Sequence, residues 1–496
     1  MKLSKAISPL LLVIFMAGQV FAIEEELILK HVEIKDGSTP SIADCVSTAL
    51  KNSPKIRRQK YNLDLAKSNV GIAKSQYFPV ISAGAGFYNE NNSNNTYYSN
   101  HYQELPNVGV AVNKLVWDFG KTTAYIKMEE FYKIGAEYEF MDSICAALFD
   151  VKAKYYNVLR EKALDKVAKK KVELFQRFVD NARKRPDLTA AHVNLAKAKV
   201  DFIASQNKYK NSYVDLNNSM YLDTQPKYQI NSTPTFNLHA DFTEKLNDDA
   251  FKPQSFGFSP DKAVDIAYEN SPDLQVLIST KKAMEQSLKY IKRVYFPEIR
   301  ANVGYNFLNT NETDKNNALQ VGVNISSAVN LMELKHSIKG ADAQLNLADN
   351  EINLFKKDLY FEVKRALNNV DKAQRQIPVA HDVLSQAGDS LKVVEAQYIA
   401  GQSDIDYTSY KDAIIDYTDA LKQYVNAVYD YNMALIQLEM AMHYHIVDIH
   451  HKSEHAVHYH SDDLIQHLVD ALDCDEHEEH HHKDKKDKKG KKQEKL

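Results

Sequence analysis

Apolar residues recur along this chain with two alternating periods. Over residues 41–77 they fall three and four apart, with Ile42, Cys45, Val46 and Ala49 marking one stripe, which is the spacing of a helix face. At Phe78-Pro79 the period changes to two, and Ile81, Ala83, Ala85 and Phe87 alternate with small or polar residues, as in a strand with one apolar face. Pro79 enforces the change, because the residue before a proline is driven out of the α region into an extended conformation. After a stretch rich in Asn, Ser and Tyr, a second alternating run carries Val108, Val110 and Val112. The pattern predicts a helix followed by a β-hairpin over 80–117.

The same pattern occurs twice. Asn52-Ser53-Pro54 recurs as Asn270-Ser271-Pro272, Phe78-Pro79 as Phe296-Pro297, and Gly86 as Gly304, all at one offset of 218 residues. In the second copy Ala263, Ile266 and Ala267 carry the helical stripe. Pro260 suits a first helical turn, where its missing N–H costs nothing. Pro54 and Pro272 break each helix near its start, so a short helix precedes a long one. After Pro297, Ile299, Ala301, Val303, Tyr305 and Phe307 alternate, and Leu319, Val321, Val323 and Ile325 return, giving a second hairpin over 298–327. Strands of about ten residues cross a bilayer when tilted, although a soluble hairpin pinned to helices has the same length. Four strands cannot close a barrel, and a membrane forbids open edges. A membrane reading therefore requires strands pooled from several chains, eight from two copies or twelve from three.

Each hairpin is followed by helix. Residues 121–183 and 188–220 keep a three-four spacing, with Pro186 at the break, and residues 334–399 do the same in the second copy, ending at Gly401, a helix-ending glycine. Asp404 or Asp406 caps the partner helix, along which Ile414, Leu421, Val428, Leu435 and Met442 stand at every seventh residue, one row of a coiled-coil seam. The longest helices would extend on the order of 90–100 Å, more than a compact domain uses. The expected organisation is a first repeat over 23–222, a connector over 223–258, packed against the outside of the helical part, and a second repeat over 259–445.

Composition narrows the function. Lys2 and Lys5 precede an apolar core from Leu10 to Met16 and a small residue at Ala22, as in an export signal over 1–22. No later run of eighteen apolar residues suggests a spanning helix. The net charge of -4 gives no nucleic-acid footprint. Cys45, Cys145 and Cys474 are too few and too scattered for a disulfide framework, and the first two lie in apolar helical patterns. No G-x-S-x-G, phosphate-binding loop or H-E-x-x-H motif points to an enzyme.

The duplicated Asn-Ser-Pro and Phe-Pro landmarks, the Leu115-Val116-Trp117-Asp118-Phe119-Gly120 return from strand to helix and the Tyr398 to Gly401 turn, in this order, resemble the TolC-like outer-membrane efflux and secretion proteins. The resemblance covers about residues 41–442. It implies a homotrimer with a twelve-stranded β-barrel in outer-membrane lipid, continued through the periplasm by a long α-helical barrel. The duct is passive and needs no cofactor, and it meets a periplasmic adaptor (membrane fusion) protein and an inner-membrane RND or ABC-type pump. Adaptor docking would fall on the helix–helix turns, Lys184, Arg185 and Pro186 in the first repeat and Gly401, Gln402 and Ser403 in the second. Helix-to-strand transitions fall at Pro79 and Pro297, and the strand-to-helix return at Trp117, Asp118 and Gly120. Three departures stand out. Asn330-Leu331-Met332 replaces the Asp-x-Gly of the first repeat, the first turn lacks a glycine, and Tyr407 and Tyr410 occupy positions where some members carry a ring of aspartates. Asp404 and Asp406 stand just before and either form that periplasmic constriction or act as solvated turn and cap residues. Alternative readings are a duct for type I secretion of polypeptides and an exported coiled-coil protein with no pore.

The tail over 446–496 carries His450, His451, His455, His458, His460, His477, His480, His481 and His482 among acids and lysines. Clustered imidazoles suit weak, exchangeable Zn²⁺, Ni²⁺ or Cu²⁺ binding, while a solvated low-complexity tail has the same composition. Titrating metal into the full chain and into a version ending at Met442 decides between them. A higher stoichiometry for the full chain marks a metal-binding tail, and equal stoichiometry marks a solvated one.

Overall fold

The structure is a computed structural model that describes residues 34–90, 103–182, 185–230, 259–309, 315–328, 330–401 and 406–443. Its elements in chain order are α1 (Ile42–Asn52), α2 (Pro54–Ser75), β1 (Val80–Glu90), β2 (Gln103–Trp117), α3 (Lys121–Asn181), α4 (Arg185–Ser219), α5 (Pro260–Asn270), α6 (Pro272–Arg293), β3 (Glu298–Asn309), β4 (Lys315–Ser326), α7 (Leu331–Ala400) and α8 (Tyr407–Met442). The starts of α1, α2 and β1 reappear as those of α5, α6 and β3 at the offset of 218 residues.

The repeat extends to the caps. Ser41 accepts a bond from the Asp44 N–H at 3.2 Å and its own N–H reaches the Asp44 carboxylate at 2.8 Å, a reciprocal box that satisfies two otherwise orphan donors. Ser259 caps α5 with the side-chain half of this arrangement, accepting from Lys262 N–H at 3.2 Å. Ser53 and Ser271 close the short helices with extended backbone, as a residue before proline must. Both long helices that follow tighten their last turn with bonds to the third residue back, Phe78 N to Ser75 O and Phe296 N to Arg293 O, before the proline ends the helix.

The four strands form one antiparallel sheet in the order β1-β2-β3-β4. Both hairpins are longer than the alternation predicts, because their distal residues are polar and break the period without breaking the ladder. β1 runs to Glu90 and β2 starts at Gln103, while β3 reaches Asn309 and β4 starts at Lys315. The linking residues 91–102 and 310–314 lie outside the described residues.

Two compact units are defined. One contains residues 59–140 and 273–355. Its helical part is a layer in the order α2-α3-α6-α7, the order of the strands it adjoins. Lys74–Glu130 at 3.0 Å joins α2 to α3, Tyr125 against Tyr290 at 5.9 Å joins α3 to α6, and Lys281–Asp349 at 2.5 Å joins α6 to α7. The two edge helices expose apolar stripes, Tyr61, Leu65 and Ile72 on α2 and Leu347 and Leu354 on α7.

The other unit contains the described parts of residues 1–58, 141–272 and 356–496. Here the helices order as α4-α3-α8-α7. Lys171–Asp201 at 2.7 Å joins α4 to α3, a buried Lys152–Glu439 pair at 3.1 Å joins α3 to α8, and Tyr410 to Glu395 at 2.7 Å joins α8 to α7. The edges again expose apolar residues, Val193, Val200 and Ile203 on α4 and Val379 and Val393 on α7. The central helix α8 is buried on more than one row. Ile414, Leu421, Val428 and Met442 of the expected seam are buried, Leu435 is not, and Ala413, Tyr424, Val425 and Ile436 are buried beside them. A helix enclosed on two sides needs this wider apolar surface. Cys45 and Cys145 are buried free thiols. Burial first, then the nearby Asp44 and Asp142, pushes them up to about 12. The first residues of the connector bond to the chain before α1 and to α4: Lys227 N bonds Asp36 at 2.7 Å, Gly37 N bonds Lys227 O at 2.8 Å, and Tyr228 is buried on α4 through Asn217 at 2.7 Å. Residues 231–258 lie outside the described residues.

Pro186 does not sit in an open turn. The helix α4 already starts at Arg185, since a proline in the first turn loses no hydrogen bond. Pro378 lies deep inside α7, and it removes the N–H that would have reached the Gln374 carbonyl.

The return from β2 to α3 is built on the backbone of Phe119 and Gly120, both left-handed at φ 57° and 81°. Asp118 is buried and its carboxylate accepts from Gly120 N at 3.0 Å and Thr122 N at 2.6 Å. Asn330 does the same for α7, accepting from Met332 N at 3.1 Å and Glu333 N at 3.3 Å, so the missing Asp-x-Gly leaves the cap intact. Arg293 Nη1 donates to the Gly120 carbonyl at 2.8 Å, and a Cβ on Gly120 would stand 2.7 Å from that nitrogen. Gly120→Ala is expected to cost more than about 1 kcal/mol, since alanine at positive φ is strained even before the Arg293 conflict. A lowered thermal midpoint of the detergent-extracted protein, with Asp118→Asn much closer to the parent, checks this.

Candidate functional site

The sheet separates its residues by chemistry. In register, Ile81, Val112, Val303 and Val321 lie on one face, with Ala83, Val110, Tyr305 and Leu319 one step further and Ala301 and Val323 one step back. This face is apolar across all four strands, and Ile81, Val110, Val303, Tyr305, Leu319, Val321, Val323 and Ile325 are exposed. The opposite face holds Ser82, Gly84, Gly109, Ala111, Asn113, Asn302, Gly304, Asn306, Gln320, Gly322 and Asn324. A soluble sheet points its apolar face into a core. Here the apolar face is bare and the small, polar face is its reverse, which is the arrangement of a membrane barrel with lipid outside and water inside.

The helical end of the sheet is ringed by aromatic residues. Trp117 meets Phe119 at 6.2 Å, Phe119 stacks on Phe296 at 5.1 Å, and Tyr295 adjoins Phe296 at 4.2 Å. Tyr77, Phe78, Trp117 and Tyr295 remain exposed. Amphipathic rings of this kind settle at a membrane–water interface. Lys114 pairs across to Ala301 on the apolar face near this boundary, where a long cationic side chain can reach headgroups. On the opposite face, Glu298 is held by Lys121 and, at 2.8 Å, by Arg300. Pro79 and Pro297 stand immediately before β1 and β3, and Trp117, Asp118 and Gly120 lie together at the return.

The second region of interest is where α3 meets α4 and α7 meets α8. Phe178 lies against Tyr410 at 4.8 Å and Tyr398 at 6.0 Å, and the two tyrosines are 5.2 Å apart. Leu174, Leu195, Leu391 and Ile414 complete this core. Tyr398 donates to Asp187 at 3.2 Å, and Tyr410 donates to Glu395, which also faces Arg177 at 3.5 Å. Burial, and then the bond to Glu395, raises the Tyr410 phenol above its ordinary range. Tyr410, expected at a constriction, is fully buried in this core. It is one helical turn inside α8, and its ring points back between α3 and α7. Tyr407 is half-buried against the same cluster.

Of the other expected tip residues, Asp406 is the N-cap of α8 and accepts from Ser409 N at 2.8 Å and Ser409 Oγ at 2.9 Å. Gly401 ends α7 at φ 79°. Arg185 and Pro186 open α4. Lys184, Gln402, Ser403, Asp404 and all nine tail histidines lie outside the described residues. The bonds that tie Asp187 to Tyr398 and Tyr410 to Glu395 were missed by sequence reasoning. They form only through packing of separate helices, although the Asp following Arg-Pro is a visible sign of a helix N-terminus. Among the described residues no cluster of three or more His, Cys, Asp or Glu side chains could hold a metal, and no helix is long and apolar enough to cross a membrane.

A bare apolar sheet face, a polar reverse, interfacial aromatic residues and helices of 61 and 70 residues are features of an outer-membrane protein with a long helical part. The chain belongs to the outer membrane efflux protein family, whose model matches residues 45–220 and 263–442. No individual curated protein matches significantly. Among solved structures, the Campylobacter jejuni CmeC outer membrane channel is similar at TM-score 0.69 and 13% identity, over 90% of this chain and 94% of that one. The open-state Neisseria gonorrhoeae MtrE outer membrane channel is similar at TM-score 0.67 and 13% identity, over 81% and 89%. CusC is similar at TM-score 0.67 and 14% identity, over 84% and 95%. The family places this chain in the outer membrane, with its helices as a periplasmic tunnel, as an efflux channel. Channels of the family work in general as trimers with periplasmic adaptors and inner-membrane pumps.

The Asp406 cap carries a pH dependence. The Ser409 N–H and hydroxyl hold its carboxyl below the ordinary aspartate range. Its contribution is complete above the unfolded value of about 3.9 and is lost as pH falls through the lower folded value. Hydrogen exchange at the start of α8 is therefore expected to lose protection in that acid window. Asp406→Asn, a cap without a titrating group, should remove the transition.

Proposed function

We propose that three copies of this chain close into a twelve-stranded barrel and a continuous helical barrel, and that the resulting passive duct exports small solutes. The single observation that carries this reading is the four-stranded sheet with an exposed apolar face and β1 and β4 at its two ends. Those edges need partners wherever the sheet enters hydrocarbon, since an unpaired backbone group there costs several kcal/mol. Because β1 and β4 run antiparallel in the sheet order, β4 of one copy can receive β1 of the next and continue the alternation. Eight strands from two copies would enclose a bore filled by side chains, whereas twelve leave an aqueous path. The exposed stripes on α2, α4 and α7 supply the corresponding helix edges.

The helix–helix turns at 184–188 and 401–407 would form the periplasmic end and dock an adaptor that brings an inner-membrane RND or ABC-type pump. With Tyr410 buried, a constriction there falls to Asp404, Asp406 and Tyr407. Three copies would bring six carboxylates towards one axis, a cation-attracting ring. The pump supplies the energy, because the described residues contain no nucleotide-binding motif and the duct offers only a path.

Detergent extraction of outer membranes, followed by native mass measurement and single-channel recording in planar bilayers, tests the reading. A complex of three chains that conducts is expected. A soluble monomer, or a membrane protein without conductance, would overturn it.

A further inference from the structure

The polar face of the sheet has a steric pattern of its own. Asn302 on β3 lies over Gly322 on β4, and a Cβ on that glycine would stand 2.9 Å from the Asn302 Oδ1. Asn306, four residues along the same strand, lies over Gly109 on β2, where a Cβ would collide with the Asn306 Oδ1. Both amides thus lie flat across a neighbouring strand, in space that exists only because those two residues have no side chain. A Cβ at Gly109 or Gly322 would force the amide that lies over it to shift. Between these pairs, Gly304 faces Ala111 with a Cβ-to-Cβ spacing of 3.7 Å, so the intervening surface is also low.

The same face is nearly free of net charge. Over residues 80–86, 108–117, 298–306 and 319–326, whose side chains are described, it carries Ser82, Asn113, Asn302, Asn306, Gln320 and Asn324, and its only ionised groups are Glu298 and Arg300 at the helical end; Glu90 shares this face by alternation at the far end of β1. Glu298 and Arg300 bind each other, and Glu298 also binds Lys121. An unpaired charge in a bore with low-dielectric walls would filter solutes by sign. Neutral amides offer a donor and an acceptor together and favour neither sign.

We infer that Asn302 over Gly322 and Asn306 over Gly109 are bore-determining pairs, which hold the barrel lumen wide and charge-neutral so that it admits bulky solutes of either sign. The inference rests on the barrel reading above and specifies what that lumen accepts.

The experiment uses the full chain in intact cells with Cys474→Ser, so that the remaining thiols, Cys45 and Cys145, are buried. Asn324→Cys places a reporter on the polar face, further towards the helical end than both pairs. External water-soluble thiol reagents of opposite charge, each in a small and a bulky form, are timed against a free thiol. The relative rates for the two signs are expected to agree within about twofold. Asn302→Asp, nearly isosteric, should shift the ratio towards the cationic reagent several-fold. Gly109→Leu with Gly322→Leu should slow the bulky reagents several-fold more than the small ones. Gly109→Ala should do so mildly, and Val321→Leu on the opposite face should change nothing.

A strong preference for one sign in the parent overturns the neutral lumen. Unchanged bulky-reagent rates in both the leucine and alanine variants, with the native complex intact on a gel, overturn the role of the pairs. A separate outcome addresses the barrel itself: if Val321→Cys reacts with these reagents and Asn324→Cys does not, the assignment of the two faces fails and the channel reading fails with it.

Discussion

Backbone hydrogen bonding at the rim of a sheet governs this molecule. Among the described residues one chain supplies four paired strands, and β1 and β4 stand at the two ends of the ladder. Water would tolerate open edges there, and hydrocarbon would not. The side-chain pattern suits the sheet to hydrocarbon, because Val321, Val323 and their neighbours make the middle of the outer face apolar, with Lys114 only near its helical boundary. The same incompleteness recurs in the helices, where α2, α4 and α7 carry apolar stripes that nothing in their own unit covers. Sheet and helices therefore pose one problem, which the proposed assembly of identical chains would solve for both.

The transition between the two regimes rests on small, local chemistry. A proline ends each incoming helix, and an acid or amide caps each outgoing one. Asp118 and Asn330 perform this second task with different side chains, which explains how the second repeat dispenses with the Asp-x-Gly sequence. The Arg293 guanidinium on the Gly120 carbonyl, and the stacked rings of Phe119 and Phe296, fix the angle at which strand becomes helix. In the periplasmic part, packing dominates, and α8 is so enclosed that even a glutamate, Glu439, is buried and paired with Lys152. Removing one member of such a pair would cost several kcal/mol, because the other charge would remain in the interior.

Much of this was legible in the residues. Prolines and the switch of period located the helices and hairpins, and the duplication tied the two halves together. What escaped was whatever depends on register or on contact between distant helices. The strands outran their apolar alternation because the ladder continues through polar residues such as Glu90, Gln103 and Lys315. Pro186 looked like a break and proved to be a beginning, since both roles share the same proline chemistry. Tyr410 aligns with a position that carries aspartate in some family members, and only the packing of Phe178, Tyr398 and Glu395 reveals that it is buried within one chain. The Asn302 and Gly322 pairing was latent in the alternation of the polar face, but it required knowing which residue stands opposite which.

The two tips of each chain differ in construction. One opens with Arg185-Pro186-Asp187 directly on a helix, with Asp187 tethered to Tyr398. The other leaves a left-handed Gly401 and re-enters the helix under the Asp406 cap. Around a threefold assembly these would alternate, giving six positions but only three of each kind. If three copies assemble as proposed, a partner that touches every tip would meet seats of two unlike chemistries, three of each.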